Sequence, residues 1–378
     1  MLYILNLQYE PNTAPSNRLM GYYHALDNMG IEATIVFLFP NKAYDKIPEQ
    51  FNHLKVVYYW KRWILYRGFF ARFTLLPYIN RFIKQLRPGD VVYTYSVSKL
   101  TRVCQDVSEV RVYAERTEHP EASSGFLHPM LALTKDEYVS TINKLDGLFV
   151  ISEPLKEYYS GLGLSPDKIK IINMIVDPSR FDGIVKQINP EKYIAYCGTV
   201  SNNKDGVNEL IEAFALFSKR VPEVKLYIIG SCPNRKELEE NMAIVKKYQI
   251  DDRVIFMGKV AAEKMPQILT NAEVLALDRP DNIQAKYGFP TKLGEYLLTG
   301  NPVVVTSVGD IYKFLKDGES ALIANPCDTK DFSSKLVWAF TNPRKAKKIG
   351  QKGKEVAMLN FNSNREINKL ISFIYGKI

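Results

Sequence analysis

The feature that most constrains this chain is an alternation that runs twice. Short apolar runs of strand length alternate with amphipathic stretches of helix length. The pattern fills the amino-terminal half and restarts near residue 193. It specifies parallel sheets, because parallel neighbours need a crossover connection and a helix usually supplies it. In the first half, strands are predicted at 2–7, 33–38, 91–95, 111–114, 148–151 and 169–173, and helices at 16–29, 75–86 and 135–145. Gly30 stands where the first helix should end. In the second half, strands are predicted at 193–197, 225–229, 254–256, 274–277 and 303–306, and helices at 208–219, 236–248, 291–299, 331–341 and 343–359. Between them, 176–190 holds Asp177-Pro178 and Asn189-Pro190, turn chemistry that suits a linker. The expectation is an α/β chain of two doubly wound domains. Such sheets bind ligands at the carboxyl ends of their strands.

A length of 378 residues and 46% hydrophobic content allow each half its own core. Cys104, Cys197, Cys232 and Cys327 show neither disulfide nor zinc spacing, which fits a reducing cytosol. The opening Met1-Leu-Tyr-Ile-Leu-Asn-Leu is too short and too weakly charged for a signal peptide, and it reads as a buried strand. No apolar run is long enough to span a bilayer.

The net charge of +9 is unevenly placed. From Glu49 to Asp90 no acidic residue intervenes, while Lys55, Lys61, Arg62, Arg67, Arg72, Arg81, Lys84 and Arg87 do. Trp60, Trp63, Phe69, Phe70 and Phe73 lie among them. Rings mixed with cations suit an interfacial membrane segment. They also suit a core helix whose Arg stems reach outward, or single-stranded nucleic acid binding. The membrane reading leads and no nucleic-acid partner is expected.

The chemistry concentrates in 286–310. Pro290 sits where a helix can start without losing a donor, Gly300 where it should end, and Pro302 blocks continuation. Leu293, Tyr296 and Leu297 form a buried stripe at helical spacing, with Glu295 and Thr291 on another face. A helix amino terminus offers unpaired N–H groups and a partial positive charge, a seat for a diphosphate. One turn on, Glu295 can accept hydrogen bonds from a ribose diol; the bland reading is a solvated surface Glu.

This segment resembles the carboxyl-domain motif of retaining GT-B glycosyltransferases, glycosyltransferase family 4. Their pattern is Glu-x7-Glu followed by a Gly-x-Pro-Val-Val strand, here Gly300-Asn-Pro-Val-Val. The likeness continues through Tyr196-Cys-Gly-Thr-Val, Lys204-Asp-Gly-Val and Leu210-Ile-Glu-Ala-Phe. It includes Phe256-Met-Gly-Lys-Val, Ile151-Ser-Glu-Pro-Leu and Asn173-Met-Ile-Val-Asp-Pro-Ser-Arg-Phe. It implies the GT-B fold, two Rossmann-like domains facing a central cleft. Residues 1–178 would bind acceptor and 190–360 the nucleotide sugar, while a helix in 361–378 would pack back on the first domain. The resemblance gives Glu295 the donor ribose and Lys204 the diphosphate. Donor contacts extend to Tyr287, Gly288, Phe289, Pro290, Thr291, Lys292, Gly198, Thr199, Gly258, Lys259, Val260 and Arg279. His119 or Glu118, after a strand, would position or deprotonate the acceptor hydroxyl. Asn17, Arg18 and Glu115 would lie on the acceptor side, and Ser152 reads as a helix cap.

Three departures stand out. Tyr287 replaces the first Glu of the motif, Thr199 replaces a phosphate-pairing Arg, and Ala14-Pro-Ser-Asn-Arg18 replaces a Gly-Gly loop. The resemblance implies transfer from a UDP- or GDP-sugar to a glycan or polyprenyl-diphosphate-linked acceptor, with retention and without a metal or other cofactor. Asp278-Arg-Pro-Asp281 is not an Asp-x-Asp metal signature, and Asp278 is a minor donor-pocket candidate. Surface polysaccharide synthesis at the inner face of the membrane is the expected setting. The rival readings are a non-catalytic GT-B partner subunit and a sugar-nucleotide epimerase of the same fold.

Overall fold

In the computed structural model the described residues are 1–6, 13–38, 50–59, 71–122, 131–188 and 191–376, with 71–76 described by backbone alone. They divide into two compact units, Met1–Asn173 with Ser363–Ile378, and Met174–Asn362.

The first unit is built on seven described strands: β1 (Leu2–Asn6), β2 (Ala33–Phe37), β3 (Leu54–Tyr58), β4 (Val91–Thr94), β5 (Arg111–Arg116), β6 (Gly147–Val150) and β7 (Ile169–Ile171). Their order is β3-β2-β1-β4-β5-β6-β7, every pairing parallel. The central strands are buried along their length, as a sheet covered on both faces requires. The helix Ser363–Tyr375 belongs to this unit and contacts the helix Ala14–Asn28. The Asn173 N–H donates to the fully buried Glu366 carboxylate at 2.8 Å, and Phe373 packs edge-on to Tyr113 and Phe149.

The second unit holds β8 (Tyr193–Cys197), β9 (Lys225–Ile229), β10 (Val254–Gly258), β11 (Val274–Leu277), β12 (Val303–Thr306) and β13 (Leu322–Ala324). Their order is β10-β9-β8-β11-β12-β13, again parallel throughout. Successive strands run outward on one side of β8 and then restart with β11 on the other. This reversal leaves a crevice between the loops that follow β8 and β11.

Both sheets are doubly wound, as the alternation predicts. The strands at β3 and β13 were not predicted, and both are sheet edges. β3 is only partly buried and β13 is three residues long, so neither shows the apolar run of a central strand. The expected linker 176–190 begins inside the second unit: Val176 is 5% exposed, its N–H donates to the Phe361 carbonyl at 2.9 Å, and it bridges Asn362. The centre of the basic aromatic window, 60–70, lies outside the described residues. Among the described residues, no helix is long and apolar enough to cross a membrane.

Candidate functional site

The helix Thr291–Leu298 starts after Pro290, and its amino terminus has no side-chain cap and no acidic residue in the first turn. Leu293, Tyr296 and Leu297 are fully buried. The Tyr296 hydroxyl accepts the Cys197 N–H at 2.6 Å and lies 3.1 Å from the Cys197 carbonyl, which pins the helix to the carboxyl end of β8. Gly300, at φ 69°, ends it in the left-handed conformation that glycine tolerates best.

The loop after β8 begins at Gly198. A Cβ there would sit 2.1 Å from the Nζ of Lys292, so this backbone and that amine meet only because the residue is glycine. The loop continues through Ser201, whose hydroxyl accepts the Lys204 N–H at 3.4 Å and caps the short helix Asn202–Asp205. Gly206 follows at φ 59°, and a Cβ there would lie 2.0 Å from the Asp278 carbonyl. The loops after β8 and β11 therefore touch backbone to backbone. The Asn282 amide donates to the Asn203 carbonyl at 2.7 Å and reinforces the contact.

Asp205 lies at the centre of this junction, 1% exposed. Its carboxylate forms a close ion pair with Lys292, takes a hydrogen bond from Tyr196 at 2.8 Å, and stands 3.8 Å from the Arg279 Nε. Burial alone would raise the Asp205 carboxyl; Lys292 and Arg279 outweigh it and hold the group below its ordinary range. Burial pulls the Lys292 ammonium below its ordinary value, against the attraction of Asp205. Lys204 acts in the same direction on Lys292 by like-charge repulsion, so the two amines share one neighbourhood. Asp205 was not singled out in the sequence. The available signal was an acid between Lys204 and Gly206, but its partner stands 87 residues away.

Glu295 is half-buried and forms a close ion pair with Arg180 from the short helix Pro178–Phe181. Burial raises the Glu295 carboxyl above its ordinary value although Arg180 pulls it back. The solvated-surface alternative for this Glu does not hold. Asp278 is 2% exposed, and burial with the nearby charge of Glu209 drives its carboxyl well above the usual range. Arg279 is 3% exposed and ties its loop to β12, donating its N–H to the Thr306 hydroxyl at 2.8 Å.

Of the remaining donor-side candidates, Thr199 is exposed beside Gly198. Gly258 and Lys259 are exposed and Val260 half-buried at the carboxyl end of β10. Tyr287 closes the helix Ile283–Tyr287, with the Lys286 ammonium 5.6 Å above its ring. Gly288 and Pro290 are buried and Thr291 half-buried. Phe289 requires a correction: it is 8% exposed and packs between Phe314 and Phe361 at 5.5 and 5.6 Å, so its ring anchors the loop in the core.

In the first unit Arg18 and Glu115 also require correction. Each is under 5% exposed, and they form a 2.7 Å ion pair. Arg18 further donates to the Ile172 and Asn173 carbonyls, and Glu115 accepts from Tyr22 and Tyr93. Two opposite charges placed in the core satisfy each other there, and this pair ties β5 to the end of β7. Asn17 is exposed one residue away. His119 follows β5 and is 6% exposed, its ring edge-on to Tyr158 at 4.3 Å. Its Nδ1 accepts the Glu121 N–H at 3.3 Å, and burial lowers its pKa. Glu118 is half-buried next to it. Ser152 caps the helix Glu153–Gly161, its hydroxyl accepting the Leu155 N–H at 3.3 Å.

Known proteins resemble this chain at two levels. Residues 191–342 match the family model described as glycosyl transferases group 1. Mannosylfructose-phosphate synthase of Agrobacterium fabrum is 27% identical over 192 residues, 49% of this chain and 41% of that protein. N-acetyl-alpha-D-glucosaminyl L-malate synthase of Bacillus anthracis is 23% identical over 169 residues, 45% of this chain and 42% of that protein. The matches thus span less than half the length of these relatives. Among solved structures, Anabaena Alr3699/HepE in complex with UDP and glucose superposes with a TM-score of 0.74 at 16% identity, over 98% of this chain and 99% of that one. Sucrose-phosphate synthase from Thermosynechococcus elongatus gives 0.74 at 15% identity, over 99% and 98%. At these identities the likeness establishes the fold, which is GT-B.

Proposed function

We propose, from the match of residues 191–342 to the glycosyl transferases group 1 model, that the protein moves a sugar from a nucleoside diphosphate sugar to a hydroxyl of a glycan or lipid-linked glycan. The observation that carries the proposal is the cluster where the loops after β8 and β11 meet. Lys292 and Arg279 flank Asp205, Lys204 adds to their charge, and the uncapped start of Thr291–Leu298 lies beside them. One acid among three cations leaves the cluster net positive. This is the electrostatics a diphosphate needs at the carboxyl end of a parallel sheet. The Anabaena structure holds UDP and glucose, which supports a donor of this class.

When the glycosidic bond to the diphosphate breaks, negative charge grows on the leaving oxygens. Lys292 would meet that charge without moving, since Asp205 and Tyr196 already hold its amine, and Lys204 adds positive charge beside it. A preorganised donor of this kind is worth about 10²–10³ in rate. Glu295 would hold the ribose diol. With cations fixed in place, the transfer proposed needs no metal.

On the acceptor side His119 takes a narrower role than a general base. Its Nδ1 is engaged as an acceptor and burial keeps the ring neutral, so the proton sits on Nε2. Such an imidazole donates to the acceptor hydroxyl and orients it, and the departing diphosphate takes the proton. Retention by front-face attack fits this arrangement. Surface polysaccharide synthesis on an anionic membrane, reached through 55–87, completes the proposal.

Exposed Thr199 and the placement of Tyr287 favour one alternative, a non-catalytic partner subunit. Incubation with UDP- and GDP-sugars, followed by NMR of the anomeric proton, separates the readings. Slow donor hydrolysis, or transfer with the anomeric configuration kept, is expected. Binding without either reaction supports the partner subunit, and interconversion of the sugar without an acceptor marks an epimerase.

A further inference from the structure

We propose that Arg180 is a positioning residue of the nucleotide site, clamping one oxygen of Glu295 so that the other is presented to a ribose diol. This rests on the reading of Glu295 as the ribose anchor. Arg180 comes from Pro178–Phe181, a short helix that precedes the second sheet in the chain. Its Nη1 pairs closely with Oε1 of Glu295, and its Nη2 lies 3.4 Å from the Ala262 carbonyl in the segment after β10. The guanidinium therefore joins the helix that carries Glu295 to the loop beyond 258–260. Among the described residues, no hydrogen bond occupies Oε2 of Glu295.

The pairing gives a half-buried carboxylate two things that a ribose anchor requires. One is a fixed direction: a planar guanidinium fixes the carboxylate geometry as a flexible ammonium would not. The other is charge. Glu295 faces Arg180 and, with the opposite effect, Asp177; Cys197 at the end of β8 and Tyr296 on its own helix complete its titratable surroundings. Burial already raises the Glu295 carboxyl, and Arg180 is the group that opposes the rise. Without Arg180 the carboxyl protonates at higher pH and loses half of its acceptor capacity.

The test measures the affinity of the full chain for UDP, GDP and inorganic diphosphate, from about pH 8 down to about pH 5, a window above the ordinary Glu range. The proteins are wild type, Arg180→Gln, Arg180→Lys and Glu295→Gln. Arg180→Gln should weaken the preferred nucleoside diphosphate about tenfold, the scale of one charge-assisted hydrogen bond. Inorganic diphosphate, which has no ribose, should bind unchanged. The loss should deepen as pH falls, and Arg180→Lys should restore part of the affinity and flatten the profile. Two results overturn the inference alone. One is Arg180→Gln matching or exceeding wild type at all pH while Glu295→Gln is weakened. The other is an equal loss for nucleotide and inorganic diphosphate. Unchanged affinity in Glu295→Gln overturns the ribose-anchor reading and this inference with it.

Discussion

Asp205 shows how far one buried charge can organise a site. Taking a carboxylate out of water is expensive, so a buried acid must find cations, and Asp205 finds Lys292 and Arg279 from two other segments. The resulting grip explains why Lys292 points at Gly198 and not at solvent. Asp278 is the contrasting case. It is equally buried, but burial and Glu209 raise its carboxyl and no cation opposes them. Its linkage sign follows: the folded chain holds this proton more tightly than the unfolded chain. Stability is thus lost as pH rises from the ordinary Asp value of 3.8 toward the raised one, and the loss persists above it. Asp278→Asn should therefore raise the melting temperature at neutral pH, by an amount that shrinks toward acid. Thermal melts from about pH 4 to about pH 8 check this; a stabilisation that grows toward acid contradicts it. Neither Asp205 nor Arg180 was legible as a site residue in the sequence, because their meaning lies in partners 87 and 115 residues away. Lys204, Lys292 and Glu295 stood out as candidates in the sequence, each next to the glycines and prolines that shape its loop or helix.

At the scale of elements, the most legible piece was the helix Thr291–Leu298, whose apolar stripe, Pro290 start and Gly300 end all lie within a few residues. Gly294 within it was not explained by any of these. A Cβ there would lie 2.2 Å from Val176 and 2.6 Å from Met174, so the 174–176 segment packs directly on helix backbone. Intrinsic propensity predicts that Gly294→Ala stabilises by about 1 kcal/mol. The contact predicts the reverse, because overpacking a tight site costs about 1–3 kcal/mol. The variant should therefore be less stable by about 1 kcal/mol or more, seen as a lower urea midpoint with an unchanged slope. A higher midpoint would show that the 174–176 segment gives way. The edge strands β3 and β13 escaped prediction for the related reason that their pairing is tertiary: a short strand at a sheet edge is defined by its neighbour more than by its own pattern.

For the molecule as a whole, the repeated alternation foretold both doubly wound sheets. The alternation alone says nothing of where Ser363–Tyr375 and Met174–Val176 join; the resemblance implied the first, and both placements are tertiary, through Glu366 with Asn173, Phe373 with Tyr113 and Phe149, and Val176 with Phe361. The proposed function requires the second unit to carry a nucleoside diphosphate site where the loops after β8 and β11 meet. Calorimetric titration of a nucleoside diphosphate panel into wild type, Lys292→Met and Glu295→Ala tests it most directly. At least one nucleotide should bind once per chain, with affinity reduced about tenfold or more in both variants, about 1.4 kcal/mol each. The contradicting result is heat from no nucleotide at about millimolar concentration, or variants that bind as tightly as wild type.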